Sequence, residues 1–197
     1  MLKEEKELKK LLEKAKKVLI ISHRGPDLDA FCSMLTAYKV LRNHFPKLEV
    51  SVKAKQYPNV KIPLMENLEI VESIDYDNED LVIVTDIPEL RLCTEEGTDS
   101  IQNADVPFVF IDHHIRVDSD DERLIFINET RATGTEQVYV TFKRMFGKKF
   151  ILDRDIASLV QYGIVADTGR FLYDSTSPDT HRIFAEVKEF FAVDLEE

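Results

Sequence analysis

The stretch VLIISHRGPDLDAFCS, residues 18–33, decides how the chain reads. Val18 to Ile21 form a continuous apolar run, the pattern of a strand covered on both faces of a parallel sheet. A loop packed with His23, Pro26, Asp27 and Asp29 follows at once. Turning the chain needs only glycine and proline. An imidazole and two carboxylates are surplus to that need. From Asp29 to Arg42 the apolar set Met34, Leu35, Ala37, Tyr38 and Leu41 recurs at helical spacing. Strand, ligand-rich loop and helix together read as the first unit of an α/β sheet, with its chemistry at the strand's carboxyl end.

Working outward, the same alternation continues. Residues 3–16 read as an exposed helix with Leu8, Leu11, Leu12 and Ala15 on one face. LEVSVKA (48–54) reads as a second strand. LVIVTD (81–86) and FVFID (108–112) are short apolar runs that end in Asp, and LIFIN (124–128) is a further strand. Helices are expected over 134–146, 154–168 and 178–191. Strands alternating with helices predict an α/β fold with a doubly wound, mainly parallel β-sheet flanked by helices. The expected organisation is one domain over 1–197, with an N-terminal helix at 1–16 and the core at 17–191. The acidic stretch VDSDDER (117–123) reads as a solvated loop.

Composition narrows the function. Apolar residues make up 44% of the 197, enough for a core, while 26 Lys and Arg against 37 Asp and Glu leave a net charge of -11. That acidity argues against stable binding of long nucleic acid through its phosphates. Small phosphorylated substrates remain allowed, because bound cations reverse local charge. Cys32 and Cys93 form no disulfide framework, so a reducing, cytoplasmic location is expected, with both read as small buried hydrophobes. The lysine- and glutamate-rich N-terminus is too charged for a signal peptide, and no apolar run approaches a membrane span.

Metal-competent side chains collect at strand ends. His23, Asp27 and Asp29 follow the first strand, Asp86 follows the third, and Asp112, His113 and His114 follow the fourth. Asp167, in GIVADTGRF, stands near the end of a late helix. A lone Asp at a strand end is ordinarily a turn former or helix cap, and Asp29 by itself could cap its own helix. His44 and His181 have no acidic company and read as ordinary histidines. Together, however, four carboxylates at one sheet edge would repel strongly without cations. Two divalent ions remove that repulsion, and mixed imidazole and carboxylate ligands suit Mn²⁺ better than a thiolate zinc or all-oxygen calcium site.

The segments HxxPDxDA (His23, Pro26, Asp27, Asp29, Ala30), the isolated Asp86, the DHH triplet (Asp112 to His114) and DTGRF (Asp167 to Phe171) resemble the DHH phosphoesterase superfamily, in its order. The likeness is greatest to its nanoRNase and RecJ-like phosphodiesterase branch, whose cousins include family II inorganic pyrophosphatases. All four segments are present between residues 17 and 174. The resemblance implies two Mn²⁺ ions, with Mg²⁺ or Co²⁺ as substitutes. His23, Asp27 and Asp86 would hold one ion. Asp29, Asp86, His113 and Asp167 would hold the other, with Asp86 bridging. His114 would face the scissile phosphate, and Asp112 would orient the histidines. Arg170 is a candidate bidentate phosphate contact, an exposed helix-end arginine being the plainer reading.

Two departures from that family stand out. Leu28 and Cys32 occupy positions where it often has Gly. Family members also normally carry a second, smaller domain with a glycine-rich, His-bearing motif, and the six glycines here form no cluster. The expected chain is therefore a catalytic domain without its usual substrate-binding partner. The resemblance implies a Mn-dependent phosphoesterase acting on short oligonucleotides, linear or cyclic dinucleotides, or 3′,5′-bisphosphonucleosides. The alternatives are pyrophosphate hydrolysis, or a nucleotide-sensing module that has lost hydrolysis. A homodimer is compatible with either.

Overall fold

A computed structural model describes the chain except residues 77, 89–91, 93–103, 115–120 and 195–197. Cys93 and most of the acidic stretch at 117–123 lie outside the described residues. In chain order the described elements are α1 (Lys3–Lys14), β1 (Lys17–Ile21), α2 (Leu28–His44), β2 (Glu49–Ala54), β3 (Leu68–Ile70), β4 (Leu81–Thr85), β5 (Phe108–Asp112), β6 (Leu124–Asn128), α3 (Gly134–Phe146), α4 (Arg154–Asp167) and α5 (Pro178–Phe190). Four of the five described helices, α2 to α5, begin where sequence chemistry provides a side-chain cap. Asp27, Thr133, Asp153 and Ser177 accept hydrogen bonds from backbone N–H groups of the first turns of α2, α3, α4 and α5.

The six strands form one parallel sheet in the order β3-β2-β1-β4-β5-β6. The order reverses between β1 and β4, which are neighbours although far apart in sequence. In sheets wound this way, ligands bind outside the carboxyl ends of the strands at that switch point. Strands β4 and β5 are buried throughout and β1 after its first residue, which explains their uninterrupted apolar sequences. Strand β3 was not anticipated. It is three residues long with two exposed, and so offers no apolar run to detect.

The two faces of the sheet differ. Val18, Ile20, Ile83, Val109 and Ile111 point into a core shared with Leu8 and Leu12 of α1, Phe31 and Leu35 of α2, Phe142 of α3, Leu159 of α4 and Val187 of α5. Losing a fully buried ring such as Phe142 would cost ~3–5 kcal/mol. Leu19, Ile21, Val84 and Phe110 point the other way, against Tyr76, Ile87, Ala104 and Val106. All described helices therefore pack on one face. The described residues against the other face, Tyr76, Ile87, Ala104 and Val106, belong to connecting segments.

Candidate metal centre

The site grows from the switch point. Asp86 follows β4 directly and sits in the left-handed region, at φ 60°. Among side-chain-bearing residues, Asp and Asn tolerate that conformation best. The Asp86 N–H donates to the Ile111 carbonyl at 3.1 Å, which pins the backbone across to β5. His23 lies in the loop after β1, beside Asp86.

The start of α2 supplies two carboxylates with different second duties. Asp27 caps α2, accepting from the Ala30 N–H at 2.9 Å. Asp29 does not cap its own helix. It is buried, and its two oxygens accept from the N–H groups of Gly134 (2.6 Å) and Thr135 (3.1 Å) at the start of α3. The positive end of the α3 dipole therefore lies behind this carboxylate. Two glycines leave the necessary space. A Cβ on Gly163 of α4 would lie 2.3 Å from Thr135 Oγ1 and 2.8 Å from Asp29 Oδ1. Gly134 does the same for Asp86. Cys32 is fully buried, and burial, with Asp29 and Asp27 nearby, pushes its thiol pKa well up, so it is an inert filler.

The histidines of the DHH triplet are held by different partners. His113 Nδ1 lies 3.2 Å from the Arg131 carbonyl. A carbonyl only accepts, so Nδ1 carries the proton and Nε2 is left to face the acids. Arg131 is fixed in turn by Glu136, buried in α3, at 3.0 Å, while Thr180 donates to the other Glu136 oxygen at 2.9 Å. Asp112 orients one histidine of the pair. Its Oδ1 meets His114 Nδ1 at 2.8 Å and its Oδ2 accepts from the His114 N–H at 3.1 Å. Asn128, its register partner on β6, donates to the His114 carbonyl at 2.7 Å. His114 Nε2 is thereby the free ring nitrogen.

These segments meet. Ligand atoms of His23, Asp27 and Asp86 lie within 4.8 Å of one another, as do those of Asp29, His113 and Asp167, and those of Asp86, Asp112, His113 and His114. His113 Nε2 joins the groups, at 3.2 Å from Asp86 Oδ1 and 3.7 Å from Asp167 Oδ2. Burial raises the pKa values of Asp29, Asp86 and Asp167, and the like charge of Asp86 adds to the rise at Asp29. Burial opposes charge on His113, but Asp86, Asp29 and Asp112 overcome it and raise its pKa to about 9. The Asp112 hydrogen bond raises His114 likewise.

The donor set fits a divalent cation. Asp86 Oδ1 is buried and accepts no hydrogen bond, His113 approaching without the alignment for one. A buried carboxylate oxygen without a donor is costly, and here it faces two groups of metal-competent side chains. No thiol is among them. A proton on His113 neutralises part of the charge in the metal-free protein, and a metal ion would displace it.

The cluster opens into a cavity of about 470 Å³ lined also by Arg24, Ile87, Pro88 and Leu92. Arg24 is the one Lys or Arg side chain among the described lining residues, and sequence reasoning passed over it between His23 and Gly25. Arg170 does not line this cavity. It stands on a left-handed turn after α4, at φ 59°, and lines a neighbouring one. His44 stacks on Phe146 and His181 on Phe171, away from the acids. Gly134, Gly163, Thr135 and Arg131 were also passed over. Their only sequence signal was the capping pattern Thr133 to Glu136.

A doubly wound sheet with acids and histidines at its switch point defines a class of metal-site α/β proteins. Comparison makes the assignment narrower. The DHH family, N-terminal domain, matches residues 17–164, and the chain belongs to that family. It is 26% identical over 173 residues to the bifunctional oligoribonuclease and PAP phosphatase NrnA of Bacillus subtilis, covering 88% of this chain and 53% of the relative. It is 26% identical over 188 residues to a probable manganese-dependent inorganic pyrophosphatase of Streptococcus equi subsp. equi, covering 92% and 58%. The fold is that of an exopolyphosphatase-related protein from Bacteroides fragilis (TM-score 0.83, 21% identity, 98% of this chain and 58% of that one). A putative family II inorganic pyrophosphatase of Methanococcus jannaschii superposes with TM-score 0.66 at 17% identity, over 91% of this chain and 58% of that one. The chain thus spans about half the length of the curated relatives it matches. No described helix is long and apolar enough to cross a membrane.

Proposed function

We propose that the chain is a metal-dependent phosphoesterase domain that hydrolyses phosphate esters of small nucleotides. Its substrates would be short oligonucleotides, dinucleotides or 3′,5′-bisphosphonucleosides. The observation that carries this reading is the composition of the cavity. Metal-competent side chains line it together with Ile87, Pro88 and Leu92, which offer apolar surface to a nucleoside, and Arg24, which offers charge to the phosphate. The residues proposed to hold two divalent ions of the Mn²⁺ kind are His23, Asp27 and Asp86 for one, and Asp29, Asp86, His113 and Asp167 for the other. Such ions, when bound, supply the Lewis acid that makes water nucleophilic near neutral pH.

The protein's own part is positioning and proton transfer. In hydrolysis a bond forms from water oxygen to phosphorus, the bond from phosphorus to the leaving oxygen breaks, and that oxygen needs a proton. His114 is placed to give it through Nε2, with Asp112 holding the ring and favouring its protonated form. Arg24 is proposed to contact the phosphate. The relatives named as pyrophosphatases support a second reading, pyrophosphate hydrolysis. The apolar surface of Ile87, Pro88 and Leu92, which pyrophosphate cannot use, favours the ester. The test is to load the purified chain with Mn²⁺ and compare bis-p-nitrophenyl phosphate, a dinucleotide and pyrophosphate. Ester hydrolysis above pyrophosphate hydrolysis is expected. A metal-loaded protein that cleaves no ester would refute the proposal.

A further inference from the structure

A second cavity, of about 860 Å³, backs onto the same two helix ends. Leu28 lines it while Asp27 lines the metal cavity, and Ala166 lines it while Asp167 lines the metal cavity. Neighbouring Cα atoms are ~3.8 Å apart, so the cavities share walls at the start of α2 and the end of α4. A small cavity of about 260 Å³ bridges them, since Asp27 and Val60 both line it and Val60 also lines the large one.

The chemistry of this cavity is the reverse of its neighbour's. Lys61, Arg154 and Arg170 line it, against Asp155 and Asp194. Asp155 is already paired with Lys39 at 2.7 Å. Lys61 and Arg170 make no ion pair among the described residues. Three cations in one cavity are a local reversal in a chain of net charge -11, and such a field draws anions. Arg170 is held in place by its backbone. It has a positive φ of 59°, costly for a side-chain-bearing residue, and its N–H donates to the Val165 carbonyl at 3.0 Å. Aromatic surface is also present. The Phe191 ring carries the Arg154 guanidinium at 4.2 Å, and half-buried Tyr162 shares the wall. The volume is that of an ordinary small-molecule site.

We propose, resting on the hydrolase reading above, that this cavity holds the non-reacting half of a nucleotide substrate. A second phosphate binds Lys61 and Arg170, and the adjoining base lies against Tyr162. Arg170, a candidate phosphate contact from the sequence, then contacts a phosphate one nucleotide away from the scissile one. Its planar fork suits bidentate contact, while Lys61 acts as a point charge.

The test pairs substitutions with substrates. Lys61 and Arg170 are exposed, so Lys61→Glu and Arg170→Glu should leave the fold intact. The Mn²⁺-loaded chain is assayed on a dinucleotide with and without a 5′-phosphate. Removing that phosphate should raise KM tenfold or more in the natural chain. Either substitution should raise KM as much on the phosphorylated dinucleotide, and far less on the unphosphorylated one. Equal effects on both substrates overturn the assignment. If the natural chain cleaves neither dinucleotide nor bis-p-nitrophenyl phosphate, the hydrolase reading falls by itself. The cavity is then judged by calorimetric titration with adenosine 3′,5′-bisphosphate: tenfold weaker binding to Arg170→Glu supports it, and unchanged binding overturns it.

Discussion

Gly134, at the start of α3, and Asp86, directly after β4, meet where space admits only one side chain. A Cβ on Gly134 would lie 2.6 Å from Asp86 Oδ1 and 2.8 Å from its Cβ and Cγ. Asp86 cannot retreat easily, because its backbone is in the left-handed region and tied to Ile111. Gly134→Ala would gain at most ~0.5–1 kcal/mol from helix propensity, the value for a mid-helix glycine, because Gly134 is the first residue of α3. The overpacking cost of ~1–3 kcal/mol should outweigh that gain. The expected outcome is a lower melting temperature and metal affinity reduced about 10–100-fold, the range for disturbing groups that orient ligands. Elemental analysis after dialysis at stepped Mn²⁺ concentrations checks it, and unchanged occupancy would show that Asp86 moves freely.

Asp86→Asn should separate stability from metal binding. The carboxylate is buried among other acids and its pKa is raised, so its charge opposes folding of the metal-free protein. The amide keeps the shape and removes the charge. The metal-free variant should therefore melt higher than the natural chain, while the stabilisation given by Mn²⁺ is lost. Asp29→Asn should chiefly weaken one of the two proposed ions. Scanning calorimetry with and without Mn²⁺, with metal counting, tests both. Two tightly held ions in Asp86→Asn would overturn the proposal that Asp86 serves both.

Much of this was legible because burial on both faces writes itself as unbroken apolar sequence. VLII, LVIVT and FVFID are central strands, and all three deliver their acids and histidines to one edge. The helices fall within about two residues of their expected bounds, because Asp153 and Ser177 mark two starts by their own side-chain chemistry. What stayed hidden depends on approach through space. Nothing in the sequence links Gly134 with Asp86, or Gly163 with Asp29. Arg24 and Arg170 could not be sorted between cavities either, since side-chain direction in a loop or after a turn is not a sequence property.

Asp112→Asn probes the hold on His114. The amide can keep one hydrogen bond but no longer stabilises a charged imidazole, so the raised pKa of His114 should fall. If His114 protonates the leaving oxygen, kcat on a dinucleotide should drop ~10²–10⁴-fold, the usual contribution of a positioned acid. The alkaline limb of the rate profile should move to lower pH. An activated p-nitrophenyl ester, whose leaving group needs no proton, should suffer much less. An equal loss on both substrates, with no shift of the limb, would mean that Asp112 serves structure alone.

The last prediction concerns pH and the metal-free fold. In the folded protein the pKa of His113 is raised to about 9 from an ordinary 6.5. A raised folded pKa stabilises fully below the unfolded value and loses that contribution as pH climbs through the folded one. Asp29, Asp86 and Asp167, also raised, work in the same direction from lower pH. The metal-free chain should therefore be most stable in mild acid and lose stability from about pH 6.5 to 9. Metal binding should run the opposite way, because the ion takes the place of the His113 proton and each step up in pH removes that competitor. The rise in melting temperature at fixed Mn²⁺ should thus widen as pH increases over the same interval. In His113→Gln the widening should flatten, since no proton at that position is left to displace. A Mn²⁺ shift independent of pH in the natural chain would show that the ion does not compete for His113.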